Sequence, residues 1–175
     1  MARITSRYAT KSEKFENLHS SGNVMNERGD CSVVAQAVVC DQSYDDAHAA
    51  LKATGRQNRR GTHHQQSVDA IVQAGFDVTL IHPDEFIRQY PGNHKNLKSV
   101  TTHHMERFNK VWRDGCTYLL FTSGHVLGVV DGENHDHTKG RARRVICIYR
   151  VHGKGKPAMS TFRKPTSDLG RFFKI

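Results

Sequence analysis

Three residues of this chain carry complementary side-chain chemistry: Cys31, His125 and Asp136. A thiol, an imidazole and a carboxylate in that chain order can supply a nucleophile, its base and the group that orients the base, the set needed for acyl transfer. Cys31 follows Gly29-Asp30 and precedes Ser32-Val33-Val34-Ala35-Gln36-Ala37-Val38-Val39, a run of small and mostly apolar residues. The pattern predicts a helix with Asp30 as N-cap and Cys31 in the first turn. Unpaired backbone N–H groups and the positive end of the helix dipole favour the thiolate there, and the thiolate is the reactive form. The plainer reading of the position is a small buried residue without chemistry, which the helix-start site and the downstream partners make the weaker of the two. Cys40 and Cys147, each inside an apolar segment, fit that plainer role better.

The partners sit on a predicted hairpin. Thr117 to Thr122 and His125 to Val130 are rich in β-forming residues and flank Ser123-Gly124, while Asp131-Gly132 is a strong two-residue turn signal. With those two residues as the turn, Val130 faces Glu133 and Leu127 faces Asp136. Period-two alternation then sets His125, Leu127, Asp136 and Thr138 on one face, with Asp136 diagonal to His125 and within reach of its imidazole. Asp131 and Asn134 compete as third member, since a one-residue change in the loop alters the register. His135 and His137 fall on the opposite face in this reading.

Cys31 at a helix start, Gly124-His125 opening a strand and a carboxylate on the following strand resemble the chain order of papain-like cysteine peptidases. The phrases Asn26-Glu27-Arg28-Gly29-Asp30-Cys31 and Gly124-His125-Val126-Leu127-Gly128-Val129-Val130-Asp131-Gly132 most resemble small peptidase-like proteins encoded by bacteriophages. The resemblance spans roughly residues 26 to 138. It implies Cys31 as nucleophile, His125 as general base and acid, and Asp136 as orienting residue, acting on peptide or isopeptide bonds of a protein or peptide without a cofactor. The family places a glutamine several residues before the cysteine for the oxyanion hole; this chain has none there, and Asn26 is the nearest amide side chain. Ser32 also departs from the aromatic residue that follows the cysteine in papain. The mismatches keep open a catalytically inactive peptidase fold that serves in binding or as a virion component.

The elements that must position these residues read as one domain of α+β class, with an N-terminal helical half and a C-terminal antiparallel sheet, and the resemblance implies that this fold is papain-like. Residues 1–25 read as a polar arm, 26–151 as the peptidase domain and 152–175 as a basic extension. Ser43-Tyr44-Asp45-Asp46 has the S-x-x-D form of a helix start, with Ala47, Ala50 and Leu51 as apolar stripe and Gly55 at the close. A further helix begins near Thr62-His63-His64-Gln65, with Val68, Ile71 and Val72 on one face, and stops at Gly75. Phe76 to Ile81 reads as a strand, Pro83 to Tyr90 and Thr102 to Arg113 as helices, and Arg144 to Val151 as a strand.

The chain has 175 residues, enough for one sizeable core. No apolar run approaches the ~20 residues of a membrane span, and Met1 to Arg7 lacks the apolar core of a secretory signal. Four irregularly spaced cysteines suit reduced thiols. With the phage resemblance, these features set the expected location as host cytoplasm or virion, with a host or virion protein as partner. The net charge of +9 comes partly from Arg56, Arg59, Arg60, Lys139, Arg141, Arg143 and Arg144 in two predicted loops, and from Lys154, Lys156, Arg163, Lys164, Arg171 and Lys174 in the tail. Arg59, Arg60, Arg141 and Arg143 are the candidates for a basic surface that binds nucleic acid, although no nucleic-acid-binding motif accompanies them. The twelve histidines include His63-His64, His103-His104 and His135-x-His137, but adjacent histidines on a helix diverge and no Cys-x-x-Cys supports them, so no metal is expected.

Overall fold

The computed structural model describes residues 11–89, 99–106 and 117–153. Phe15 and Leu18 lie three residues apart in a stretch that is otherwise polar, and with Gly22 they form the buried stripe of helix α1, Glu13–Val24. Over these residues the expected arm is a helix packed into the domain. Ser12 caps it, accepting the Phe15 N–H at 3.2 Å. Three small contact points among many polar residues are too sparse a pattern to stand out without the surface they meet.

Helix α2 (Cys31–Cys40) is buried at every residue from Ser32 onward. A helix apolar on all sides belongs in the centre of a fold, and α2 lies among α1, α3 (Tyr44–Ala53), α4 (His64–Gln73) and the sheet. Ser43 caps α3 as its S-x-x-D pattern predicts, accepting the Asp46 N–H at 3.1 Å. On α4 the buried residues are Ser67, Ala70 and Ile71. Val72 is 52% exposed, because the face that meets the core runs through Ile71 and its neighbours three and four residues earlier, not through Val72.

Strand β1 (Asp77–Ile81) and helix α5 (Pro83–Gln89) follow, then β2 (Thr117–Thr122), β3 (His125–Val130), β4 (Glu133–Asn134) and β5 (Val145–His152). The five strands make one antiparallel sheet in the order β1-β5-β2-β3-β4. The architecture is therefore α+β, with four helices first and the sheet largely in the second half. Alternate residues of the strands feed two cores. Leu119, Phe121, Val126 and Val151 join the helices α1 to α4, while Tyr118, Leu120, Leu127, Val129 and Ile148 meet Phe86 of α5 together with Val100 and Met105. Residues 102–106 are helical, matching the start of the expected helix; its remainder to residue 113, Tyr90 and the tail from residue 154 lie outside the described residues.

Close approach of α2 to β3 is set by Gly128. A Cβ there would stand 2.7 Å from Val38 Cγ1 and 3.1 Å from Val39 Cγ1, both buried. Gly128→Ala is expected to lower unfolding stability by about 1–3 kcal/mol through overpacking, read as an earlier urea midpoint.

Candidate active site

The thiol is placed by the turn before α2. Asn26 and Gly29 both take positive φ (52° and 71°), folding the chain back so that Cys31 opens the helix. Asp30 occupies the N-cap position, but its carboxylate does not cap the helix; it accepts the Tyr44 hydroxyl at 3.1 Å. Its carbonyl accepts the N–H groups of Val33 and Val34 (2.8 and 3.0 Å). The Cys31 and Ser32 N–H groups precede the intrahelical ladder and so have no helical acceptor. The Ser32 hydroxyl lies 2.6 Å from that of Thr62, tying the start of α2 to the loop before α4.

His125 is the first residue of β3, after the Ser123-Gly124 turn, and Gly124 has φ 67°. The Asp131-Gly132 turn forms with Val130 opposite Glu133, as the sequence reading requires. The strand partner then ends at Asn134, so the expected pairing of Leu127 with Asp136 is not made on a continuous strand. His135 N–H still reaches the Gly128 carbonyl at 3.1 Å, and the chain turns beside the edge of β3. This path delivers Asp136 to His125: the imidazole Nε2 donates to Asp136 Oδ2 at 2.9 Å. Among the three candidates for that role, Asp131 is exposed in the turn and Asn134 is buried on β4 opposite Val129.

The carboxylate is held from several sides. Thr138 donates both its backbone N–H (2.8 Å) and its hydroxyl to Asp136 Oδ2, and His137 Nδ1 lies 3.3 Å from Oδ1. Burial raises the Asp136 pKa, but His125, His137 and Thr138 outweigh it and the carboxyl lies well below its usual range. His125 is pulled down by burial and pushed up more strongly by Asp136 and Cys31, to about 9. Burial likewise raises the Cys31 thiol, yet the hydrogen bonds of His125 and the Val126 backbone, with the imidazole charge, bring it below the ordinary value. By contrast, burial pushes Cys40 up to about 12 and also raises Cys147. With Nε2 engaged by Asp136, Nδ1 is the ring nitrogen left for the thiol. The arrangement sets a thiol of lowered pKa beside an imidazole of raised pKa, backed by a buried carboxylate.

His137 corrects the face assigned to it: it sits beside the triad, its ring edge-on to His125 with centroids 4.8 Å apart. His135 points elsewhere, its Nδ1 2.8 Å from the Ser12 hydroxyl. The divergence follows from β4 ending at Asn134, after which strand alternation no longer governs direction. Among the described residues, His125, Asp136 and His137 form the group whose donor atoms lie close enough together (within 4.8 Å) to bind a transition-metal ion. Within it, Asp136 accepts from His125 Nε2 and from Thr138, and His137 Nδ1 lies against its other oxygen.

Asn26 is not brought to the thiol. It is exposed, it lines neither recess beside Cys31, and its carbonyl accepts Arg59 Nε at 3.1 Å. The Cys31 and Ser32 N–H groups at the start of α2, without a helical acceptor, lie at the thiol instead. The neighbouring Glu27 has a structural part that the sequence reading missed. Its carboxylate, buried, accepts His48 Nε2 (2.9 Å), Arg56 Nη2 (3.1 Å) and the Arg59 N–H (2.8 Å). Arg56 therefore leaves the expected basic surface for the interior. Arg143 Nη2 donates to the Ser123 carbonyl (3.2 Å), bracing the turn before His125, and the Arg141 carbonyl accepts the Thr102 hydroxyl. The loop arginines thus hold loops around the site, whereas Arg60 faces a recess.

Two recesses flank the thiol. One, of about 550 Å³, lies toward α4 and is lined by Ser32, Arg60, Thr62, His64 and Phe121 along with Cys31 and His125. The other, of about 460 Å³, lies toward α1, where Phe15, His19 and His137 form the wall. Both α1 residues escaped sequence reasoning because the segment reads as polar. The Asp136-x-Thr138 spacing was a local signal for the braced carboxylate, since a threonine two residues on readily bonds an aspartate side chain. No helix among the described residues is long and apolar enough to cross a membrane. Comparisons with protein-family models, with curated proteins and with solved structures each find no match for this chain.

Proposed function

We propose that this chain is a thiol hydrolase of papain-like type, cleaving peptide or isopeptide bonds through Cys31, His125 and Asp136. The observation that carries the reading is that Cys31 shares both recesses with His125, whose imidazole donates to a buried, multiply braced Asp136, and that these recesses are large enough for substrate residues. The Cys31 sulfur attacks the carbonyl carbon, and the resulting oxyanion meets the N–H groups at the start of α2. His125 passes its proton to the leaving nitrogen as the C–N bond breaks. Water then attacks the thioester while His125 takes a water proton, and the thiolate leaves. Asp136 keeps the ring oriented and stabilises its positive charge throughout.

A library of short peptides, read by mass spectrometry, tests the activity. Cleavage that disappears in Cys31→Ala and labelling of Cys31 by peptidyl chloromethyl ketones are the expected results. A wild-type protein that leaves every peptide intact and reacts no faster at Cys31 than at an ordinary thiol refutes the reading and favours a binding role for the fold.

A further inference from the structure

The two recesses beside Cys31 differ in charge. The one toward α4 contains Arg60, His63 and His64 and has no aspartate or glutamate among its lining residues, whereas the one toward α1 includes Asp30 and Asp136. Arg60 is exposed at the recess, and its guanidinium has no hydrogen bond or ion pair among the described residues. Its neighbours are already engaged. Arg56 is buried against Glu27, and Arg59 holds that same carboxylate by its N–H and the Asn26 carbonyl by its side chain. Glu27 is thereby engaged by Arg56, His48 and the Arg59 N–H, and makes no ion pair with Arg60.

The loop that carries Arg60 is itself fixed. Glu27 grips it at Arg59, and the Ser32–Thr62 hydroxyl contact grips it two residues after Arg60. The guanidinium is therefore presented from an anchored backbone, in a recess that Cys31 also lines. The floor is aromatic, with His64 against Phe121 at 3.8 Å between ring centroids. Burial, then the neighbouring His63, lowers the His64 pKa, and beside His125, which lines both recesses, Arg60 is the permanently charged side chain that this recess adds. An arginine fork matches a carboxylate in shape and charge.

We infer that the α4-side recess is a carboxylate-selecting subsite, with Arg60 binding an acidic group of the peptide substrate while Cys31 attacks the adjoining backbone. This rests on the reading of Cys31 as nucleophile. The carboxylate belongs either to an Asp or Glu side chain or to a peptide C-terminus, which share the chemistry Arg60 recognises.

The test has two arms. Wild type and Arg60→Glu are alkylated at low salt with iodoacetate and with iodoacetamide, and the ratio of the two Cys31 rates is compared, which cancels changes in the thiolate itself. The ratio is expected to fall by about fivefold or more on charge reversal. In the second arm, backbone N–H shifts of residues 60–64 are followed by NMR in Cys31→Ala. Three peptides are used: acetyl-Ala-Glu-Ala-amide, acetyl-Ala-Gln-Ala-amide and acetyl-Ala-Gln-Ala with a free C-terminus. Shifts with the first alone assign a side-chain carboxylate, and shifts with the third assign a C-terminal one. Equal responses to all three, or none, overturn the subsite whatever the alkylation ratio. An inert Cys31 refutes the hydrolase reading separately, because the NMR arm does not use the thiol.

Discussion

His125→Ala is expected to slow peptide hydrolysis by about 10²–10⁴-fold and to move the pH profile of Cys31 alkylation upward, toward the ordinary thiol value of about 8.5. In the wild type the Cys31 pKa is depressed, so its thiolate persists to lower pH than that of a free cysteine. His125, pushed up to about 9, keeps its proton until the pH rises through that value. Hydrolysis needs both forms together, the thiolate to attack and the imidazolium to protonate the leaving nitrogen. The rate should therefore be bell-shaped, falling on the alkaline side near pH 9 as a property of the coupled pair. Asp136→Asn removes the carboxylate that supports the imidazolium and should shift this alkaline limb to lower pH. Residue-resolved mass spectrometry of alkylation, with stopped-time peptide assays, checks both. A profile indifferent to His125 would refute the pair.

The second large effect concerns stability. Glu27→Ala leaves Arg56, whose side chain is fully buried, without its carboxylate. Removing one partner of a buried ion pair costs about 3–5 kcal/mol, because the remaining charge is stranded away from water. Urea unfolding should show that loss, and Glu27→Gln, which keeps an acceptor of the same shape, should lose less. Burial raises the Glu27 pKa, but Arg56, His48 and the Arg59 N–H outweigh it and lower the pKa from 4.5 to about 2. A depressed carboxyl pKa stabilises the fold fully above the unfolded value, and that contribution is lost as pH falls from about 4.5 toward 2. The difference in urea midpoint between wild type and Glu27→Ala should accordingly narrow over that interval. Because Glu27 lies four residues before Cys31 and grips the Arg59 loop, alkylation of Cys31 should also lose rate in the alanine variant at neutral pH.

Much of this site is legible in short stretches. Gly29-Asp30 followed by small apolar residues marks the start of α2, and Asp131-Gly132 sets the hairpin that pairs Val130 with Glu133. These are local signals: allowed φ/ψ values and side-chain periodicity depend on near neighbours. The Asp30 role illustrates the limit. Its type and position suit a cap, but Tyr44, fourteen residues on, takes the carboxylate. Helix α1 illustrates it again, since Phe15 and Leu18 acquire significance only against α2.

By itself, the sequence determined the helix start at Cys31, the strand opening at His125, the turn at Asp131-Gly132 and the helices-then-sheet order. Tertiary structure decided which carboxylate serves His125, that β4 stops at Asn134 and frees Asp136 to turn inward, that His137 joins it, and that Glu27 and Arg56 are buried together while Arg60 lines a recess with no side-chain partner among the described residues. The physical reason is one of range. Backbone preference acts over a few residues, whereas burial and ion pairing depend on which distant surfaces close on one another, and a difference of one residue in where a strand ends redirects every side chain beyond it.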